Sequence, residues 1–397
     1  MAAIKQYYSQ IAIFLLFLST AIQATVGFAR DANESFKGIL ALLCWGSIFY
    51  SYKQFSIFIN KVTPSIALLY KIFIAVIVLS ILHSLFWGTI YKGNKYFVLI
   101  GNMYAALNLT GFFFITSITK IKDLFFLRNI TIIYILTSVI LLIFNYDITI
   151  NSYFLIYPFT YVMLYIPYVK KRHKLIIILS FILSYYAFIG GGRQVALFWG
   201  FNIIAFIASQ WCNKKTVLYI SLICIVLPWL LMIYSIHEGQ SIFEIISHNS
   251  SDKNGLNVDT RTFLYEEIFK DASIQPFTTL LFGKGAIAYY SSDYFDTKFR
   301  LGIEVPILEW LLQAGIIYIV LFTIIITIAI IKLYKYGNSR FCMIASILIA
   351  SYYFNCFISN LNGCNLSIMA FWYLIYLSNN IKMMRLNDKQ WKVLLKR

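Results

Sequence analysis

The sequence predicts an all-α, polytopic integral membrane protein, on three observations. Hydrophobic residues make up 60% of the 397 residues, aromatic residues 18% and charged residues only 12%, whereas a water-soluble globule carries about a quarter charged residues to cover its surface. The apolar residues fall in long runs. The basic residues collect in alternate connections between those runs, as in a chain threaded through a bilayer.

A window of about 19 residues marks roughly twelve transmembrane helices, each long enough at about 1.5 Å per residue to cross a hydrocarbon core of about 30 Å. They lie near 10–29, 37–52, 66–90, 97–118, 124–144, 153–169, 175–190, 194–211, 216–236, 304–331, 341–359 and 365–380. The first follows Lys5, and "AIQATVGFA" offers small residues for cleavage; its apolar run exceeds that of a signal peptide, so a retained helix is expected. No clear repeat or low-complexity segment breaks the series, and 1–397 reads as a single transmembrane domain.

Lys53 and Lys61, Lys120 and Lys122, "KKRHK" (170–174), Lys214 and Lys215, Lys332, Lys335 and Arg340, and the tail "KMMRLNDKQWKVLLKR" share one side if both termini are cytoplasmic. The intervening connections are poor in basic residues or balance them with acids, as in "RDANESFK" and "NYDITINS". The net charge of +17 is therefore a topology signal, with no nucleic-acid partner expected. The basic tail also suits anionic lipid heads, which makes membrane lipids partners. Of the 16 Asp and Glu, only Asp123 and Asp388 fall on the basic side, and most others gather in 237–303, the longest polar stretch. A large loop of this kind is where binding and catalytic groups concentrate.

Cysteines and histidines add little. Cys44, Cys212, Cys224 and Cys342 lie in or near spans, and only Cys356 and Cys364 reach an oxidising side, where a disulfide is not expected. His83, His173, His237 and His248 are scattered, and no CxxC, HExxH or aspartate-rich cluster points to a metal.

The chemistry-bearing candidates flank the loop. In "YYAFIGGGRQVALFWG" (185–200), Gly190 to Arg193 make a tight connection between two helices, so a guanidinium meets the N–H groups and positive end of the next helix. That is an anion site, or an interfacial arginine snorkelling to lipid phosphate. "DTRTFLYEEIFKDA" (259–272) reads as a short amphipathic helix capped by Asp259 or Thr260, with Phe263, Leu264, Ile268 and Phe269 on its apolar flank. Arg261 stands in its first turn, against the dipole, which either recruits an anion or is chance. Glu266 and Glu267 read as a solvated face. In "LLFGKGAIAYY", Gly283 and Gly285 flank Lys284, a turn that could also offer charge to the same anion. Tyr289, Tyr290 and Tyr294 would stack on sugar rings or form an interfacial belt. The loop ends in "RLGIEVPILEWLLQAG", where Glu304 precedes Pro306 at a helix start and Glu309 lies deeper in the span. Glu304 is placed as a cap or a base, ahead of Glu309; Lys71 and Arg128 are near enough to span ends to snorkel.

In this order the features resemble those of the bacterial O-antigen polymerases (Wzy type) and the related O-antigen ligases. In that group an arginine preceded by glycine or serine opens a span. A large periplasmic loop follows with a second arginine on a helix and a Gly-x-Gly turn, and the next span is patterned "HNxxLxxLxxxG". Here the counterparts are "GGGRQVALF", "TRTFLYEEIF", "FGKG" and "EVPILEWLLQAG", with Leu308, Leu311 and Gly315 in register, and the likeness covers mainly residues 185–330. Glu304 and Val305 stand where the ligases carry His-Asn, a departure that favours the polymerase over the ligase.

The resemblance implies a GT-C-like glycosyltransferase fold in the bacterial inner membrane, with both termini cytoplasmic and the active site facing the periplasm. Its substrates would be oligosaccharide repeat units on undecaprenyl pyrophosphate, as donor and acceptor, and a polysaccharide chain-length regulator is a candidate partner. Catalysis would fall to Arg193 and Arg261 on the pyrophosphate and Glu304 as base. Lys284 would be a weaker third cation, and Tyr265, Tyr289 and Tyr290 would contact glycan. No metal and no other cofactor is expected. The rival readings are an O-antigen ligase, a lipid-linked oligosaccharide flippase, which would put basic residues in a central cavity, and a structural subunit of a polysaccharide complex.

Overall fold

A backbone surrounded by hydrocarbon has to hydrogen-bond to itself, so uninterrupted apolar runs become helices. The computed structural model describes residues 7–26, 34–86, 95–102, 105–118, 120, 122–123, 125–127, 129–130, 132–133, 164, 167–168, 200, 203–204, 207–208, 210–238, 262–273, 275–303, 305–357 and 364–396. Its first half contains α1 (Tyr8–Val26), α2 (Glu34–Tyr52), the short α3 (Phe55–Ile59), α4 (Pro64–Phe86), α5 (Lys95–Gly101) and α6 (Ala106–Thr110), which runs into a 3-10 segment at Gly111–Thr116. After α7 (Lys214–Glu238) come α8 (Thr262–Ser273), α9 (Phe277–Phe282), β1 (Tyr289–Ser292) and β2 (Thr297–Leu301). The chain closes with α10 (Pro306–Tyr336), α11 (Arg340–Asn355), α12 (Leu366–Asn379), α13 (Ile381–Met384) and α14 (Asp388–Lys396).

Three of the described helices are long and apolar enough to cross a membrane: Pro64–Phe86, Lys214–Tyr234 and Pro306–Tyr336. Only 33%, 28% and 50% of their most apolar windows is buried against protein. Leu68 and Leu79 on α4, Ile223 and Leu230 on α7, and Val320 and Ile324 on α10 therefore point outward. Hydrocarbon tolerates such a surface and water does not. The chain is a mostly helical membrane protein.

The inner faces meet in an aromatic core. Phe73 of α4 lies 4.7 Å from Tyr318 of α10, Phe112 of the 3-10 segment 5.0 Å from Trp372 of α12, and Trp310 4.8 Å from Phe322. Close approach to α12 requires a small residue at Gly111, where a Cβ would come within 3.1 Å of Ile368 Cγ2.

The two ends of the bundle differ in charge. At one end Lys332 Nζ donates to Asn379 Oδ1 at 2.8 Å, and Lys214, Leu333 and Cys342 line one small groove. Asp388 Oδ1 there accepts from Tyr168 OH at 2.5 Å and from Arg340 N at 2.9 Å, tying α14 to the start of α11. Trp391 is fully buried and stacks on Phe341 at 4.1 Å and 10°, leaving Lys389 and Lys392 exposed. The opposite end carries residues 275–303 packed on the C-terminus of α4 and the N-terminal half of α10.

One expectation needs correction. The span read as continuous over 97–118 is broken: α5 stops at Gly101, and the chain resumes as α6 and a 3-10 segment. Trp45 Nε1 donates to Ile100 O at 2.8 Å, occupying a carbonyl at that helix end. The described chain is mostly helical, as the all-α reading expects, with one small addition: β1 and β2 form an antiparallel hairpin with Tyr289 opposite Leu301 and Tyr290 opposite Arg300. Its β-branched and aromatic residues suit a pleat, and Asp296 at φ 46° supports the turn. The spans expected over 124–211 fall almost wholly outside the described residues.

Truncating Trp391 to alanine is expected to destabilise the docking of α14 by about 3–5 kcal/mol, the range for a fully buried large aromatic. Limited trypsin digestion should then cut after Lys389 and Lys392 well before the bundle is attacked; equal resistance of both proteins would contradict the docking.

Candidate functional site

The end of the bundle under residues 275–303 is built around an interruption in α10. Gly315 has φ 73° and ψ −176°, which breaks the helical ladder, and carbonyls upstream of such a break need new donors. The turn after α9 supplies them. Lys284 N donates to Leu312 O at 2.6 Å and Gly285 N to Gln313 O at 3.1 Å, while Ser80 Oγ of α4 reaches the same Gln313 O at 2.6 Å. On its other side the turn is held by α4. Ala286 N donates to Ser80 O at 3.1 Å, and Ile287 N to Ser84 Oγ at 3.0 Å. His83 Nδ1 lies 2.9 Å from Lys284 O, and since a carbonyl only accepts, that nitrogen carries the proton.

The glycines follow from this packing. Gly283 has φ 78° and Gly285 φ 100°, and a Cβ on Gly283 would overlap the backbone at Gln313 and Ala314. On Gly285 it would stand 2.5 Å from Ser84 Oγ, and on Gly315 it would overlap Leu281 O. Left-handed φ and backbone contact each select glycine at these positions.

Beneath the turn is a buried polar network. Gln313 Nε2 donates to Ala286 O and to Glu309 Oε1, both at 3.3 Å, and Asn108 Nδ2 lies 3.4 Å from Gln313 Oε1. Glu309 and Gln313 are 3% and 2% exposed. The network joins two interrupted helical segments, α5 with α6 and α10, and such irregular backbone in an apolar bundle is tolerated where protein surrounds it. An ionisable group there is a functional candidate by default.

Above the turn, α8 and the hairpin form a cap. Leu264 and Ile268 of α8 are fully buried, and the Tyr265 hydroxyl donates to Phe357 O, fixing α8 to the end of α11. Lys284 Nζ pairs with Asp271 Oδ2 at 2.6 Å, with side-chain exposures of 19% and 16%, and reaches Tyr289 O at 3.3 Å. Glu267 Oε1 accepts from Ser292 Oγ at 3.0 Å and Tyr294 N at 2.9 Å, pinning the hairpin to α8. The pair Lys270–Asp293 at 3.3 Å is solvated and contributes little.

Arg193, Arg261 and Glu304 all lie outside the described residues. Lys284 and Tyr289 are brought together, with the ammonium balanced by Asp271. Tyr265 and Tyr290, 7% and 1% exposed, face inward, whereas Tyr294 is 57% exposed. Glu267 is not a solvated side chain but a strut of the cap. The sequence reading missed His83, Ser80 and Ser84, whose helical spacing in "SILHS" places polar groups on one stripe of an apolar helix. It also gave no role to Arg300, Gln313 or Asn108.

Gly315→Ala is expected to lower stability by about 1–3 kcal/mol from backbone strain alone, with the overlap adding to it, read as an earlier thermal unfolding transition in detergent. Asp271→Leu should destabilise by roughly 2–3 kcal/mol, somewhat under the range for wholly buried pairs, because it strands the Lys284 ammonium. The double variant Asp271→Leu/Lys284→Met should recover most of that loss in a thermal-unfolding cycle, and additive losses would rule the pairing out. Searches of family models, curated proteins and solved structures find no match to the chain, so its function is argued from the chemistry of the site.

Proposed function

We propose that the chain polymerises oligosaccharide repeat units carried on undecaprenyl pyrophosphate, at the membrane face that bears the cap. The observation that carries the reading is the locking of the Gly-Lys-Gly turn into the break at Gly315. Two of the short sequence features behind the resemblance to O-antigen polymerases are in direct contact, and the loop is a built part of the bundle. The concentration of described basic side chains at the other end supports a cytoplasmic assignment for that end, with the cap outside.

In this reading a hydroxyl of the incoming unit attacks the anomeric carbon of the growing chain. The new glycosidic C–O bond forms as the bond from that carbon to the pyrophosphate oxygen breaks, and the hydroxyl proton passes to Glu304. Charge developing on the departing pyrophosphate is stabilised by Arg193 and Arg261, whose planar forks suit its oxygens. Lys284, its charge balanced by Asp271, keeps the turn in place, and its role in this reading is structural.

Purified protein with defined lipid-linked repeat units is the test. New glycosidic bonds and a ladder of products are expected, and translocation without bond formation would identify a transporter instead. Transfer of single units to a lipid A core, with no ladder, would identify a ligase. Arg193→Lys should reduce polymerisation by about 10²-fold or more, since a point charge cannot replace a bidentate fork.

A further inference from the structure

We infer that the groove between α7, α10 and α11 at the basic end is a binding site for one anionic glycerophospholipid, whose phosphate meets Lys214 and whose acyl chain starts along Val217, Leu218, Leu333 and Met343. This goes beyond the chemistry proposed at the capped end and does not depend on it. Lys214, Val217 and Leu218 belong to the first two turns of α7, Leu333 and Tyr334 to the last turn of α10, and Cys342, Met343 and Ser346 to the first two turns of α11. Together they line one shallow space of about 230 Å³, counting the part that is open to the surroundings.

The lining is charged at one point and apolar elsewhere. Ser346 Oγ and Ser221 Oγ bond each other at 3.1 Å, and the Cys342 thiol donates to Met384 O at 3.7 Å, so these polar groups are used up within the protein. The half-buried Lys214 ammonium is not: among the described residues no carboxylate lies within ion-pair distance of it, and Asp388, an acid of this end, is engaged by Tyr168 and Arg340. Asn213 Oδ1 caps α7 by accepting from Thr216 N at 2.9 Å, so the open positive charge belongs to side chains, Lys214 and the exposed Lys215. Both oppose the dipole at that end of their helix, and an anion in the groove offsets the repulsion.

Position selects among anions. Lys214 is the first residue of one membrane-crossing helix, and Tyr334 stands near the end of another, so the ammonium lies where the helices leave hydrocarbon for the headgroups. Both helices present apolar side chains outward close by, Tyr219 on α7 and Ile331 on α10, and the molecules that surround the groove are therefore phospholipids. A phosphate that carries a chain matches both the ammonium and the apolar walls, whereas a free phosphate leaves the walls wet. Basic pockets between membrane helices are a recognised setting for anionic headgroups. A choline headgroup is disfavoured, since its cation would meet Lys214 and Lys215.

Native mass spectrometry of the full chain released from nanodiscs, titrated with phosphatidylglycerol and with phosphatidylcholine of the same acyl chains, tests this. One phosphatidylglycerol should bind about tenfold or more tighter than phosphatidylcholine, the gain expected for one hydrogen bond to a charged group. Lys214→Gln should abolish that preference and Lys214→Arg should keep it. The double variant Lys389→Gln/Lys392→Gln, which removes exposed lysines of α14, should leave it intact. Absence of a preference in the unmodified chain, a preference unchanged in Lys214→Gln, or an equal loss in the α14 double variant would each overturn the inference, the last by reducing it to diffuse surface charge. Displacement of the bound lipid by equimolar glycerol phosphate would do the same and identify a site for a free anion. The headgroup preference of the unmodified chain needs no variant, so it decides the question even where Lys214→Gln fails to fold.

Discussion

Every backbone polar group held away from water must find a partner, and that requirement shapes this structure most visibly at Gly315. Breaking α10 there turns carbonyls toward the flank of the helix. The turn at 283–285 exists to meet them, with Ser80 contributing a further donor. The same few hydrogen bonds therefore satisfy the helix, seat the loop and bring α4 into register with α10. Three glycines are the covalent consequence, each at positive φ and in contact with backbone or side-chain atoms of a neighbouring segment.

Rigidity of the cap follows from that seating. A loop joined to the bundle only at its two ends would lose its geometry at modest cost, but here α8 is held by the Tyr265 hydroxyl, the hairpin by Glu267 and the turn by Lys284 with Asp271. Charged groups inside the cap are largely matched to one another. The atoms left over, on Glu267 and Arg300, stand out because their surroundings are so fully paired. Under the cap, Glu309, Gln313 and Asn108 link two interrupted helices, so polar chemistry and irregular backbone coincide at the same depth.

The bundle that carries this end is held by shape. Phe73, Phe112, Tyr318 and Phe322 interlock within a wholly buried centre, while leucine and isoleucine on α4, α7 and α10 face outward. Between apolar helices in hydrocarbon the packing itself provides the attraction, since lipid tails solvate leucine as well as protein does. At the basic end α14 repeats the principle on a smaller scale, with Trp391 against Phe341 holding a strip of lysines at the edge of the bundle.

Composition and hydropathy alone pointed to a mostly helical membrane protein and to the three long apolar helices α4, α7 and α10, because hydropathy and the cost of burying charge are properties of residues in order. The start of α10 at Pro306 and the amphipathic α8 were equally legible, from a proline and a capped periodic segment. The glycines were visible as a Gly-Lys-Gly turn and a glycine in a span, but not their contact, which joins residues about thirty positions apart through backbone groups that carry no sequence signature. Burial of Tyr265 and Tyr290, the pairing of Lys284 with Asp271, the hairpin, the break before Ala106 and the packing of Arg300 against Phe295 were decided by tertiary structure. Each depends on which distant segment supplies the partner, and for a polar group the partner, more than the residue type, determines whether it braces the fold or remains open to a ligand.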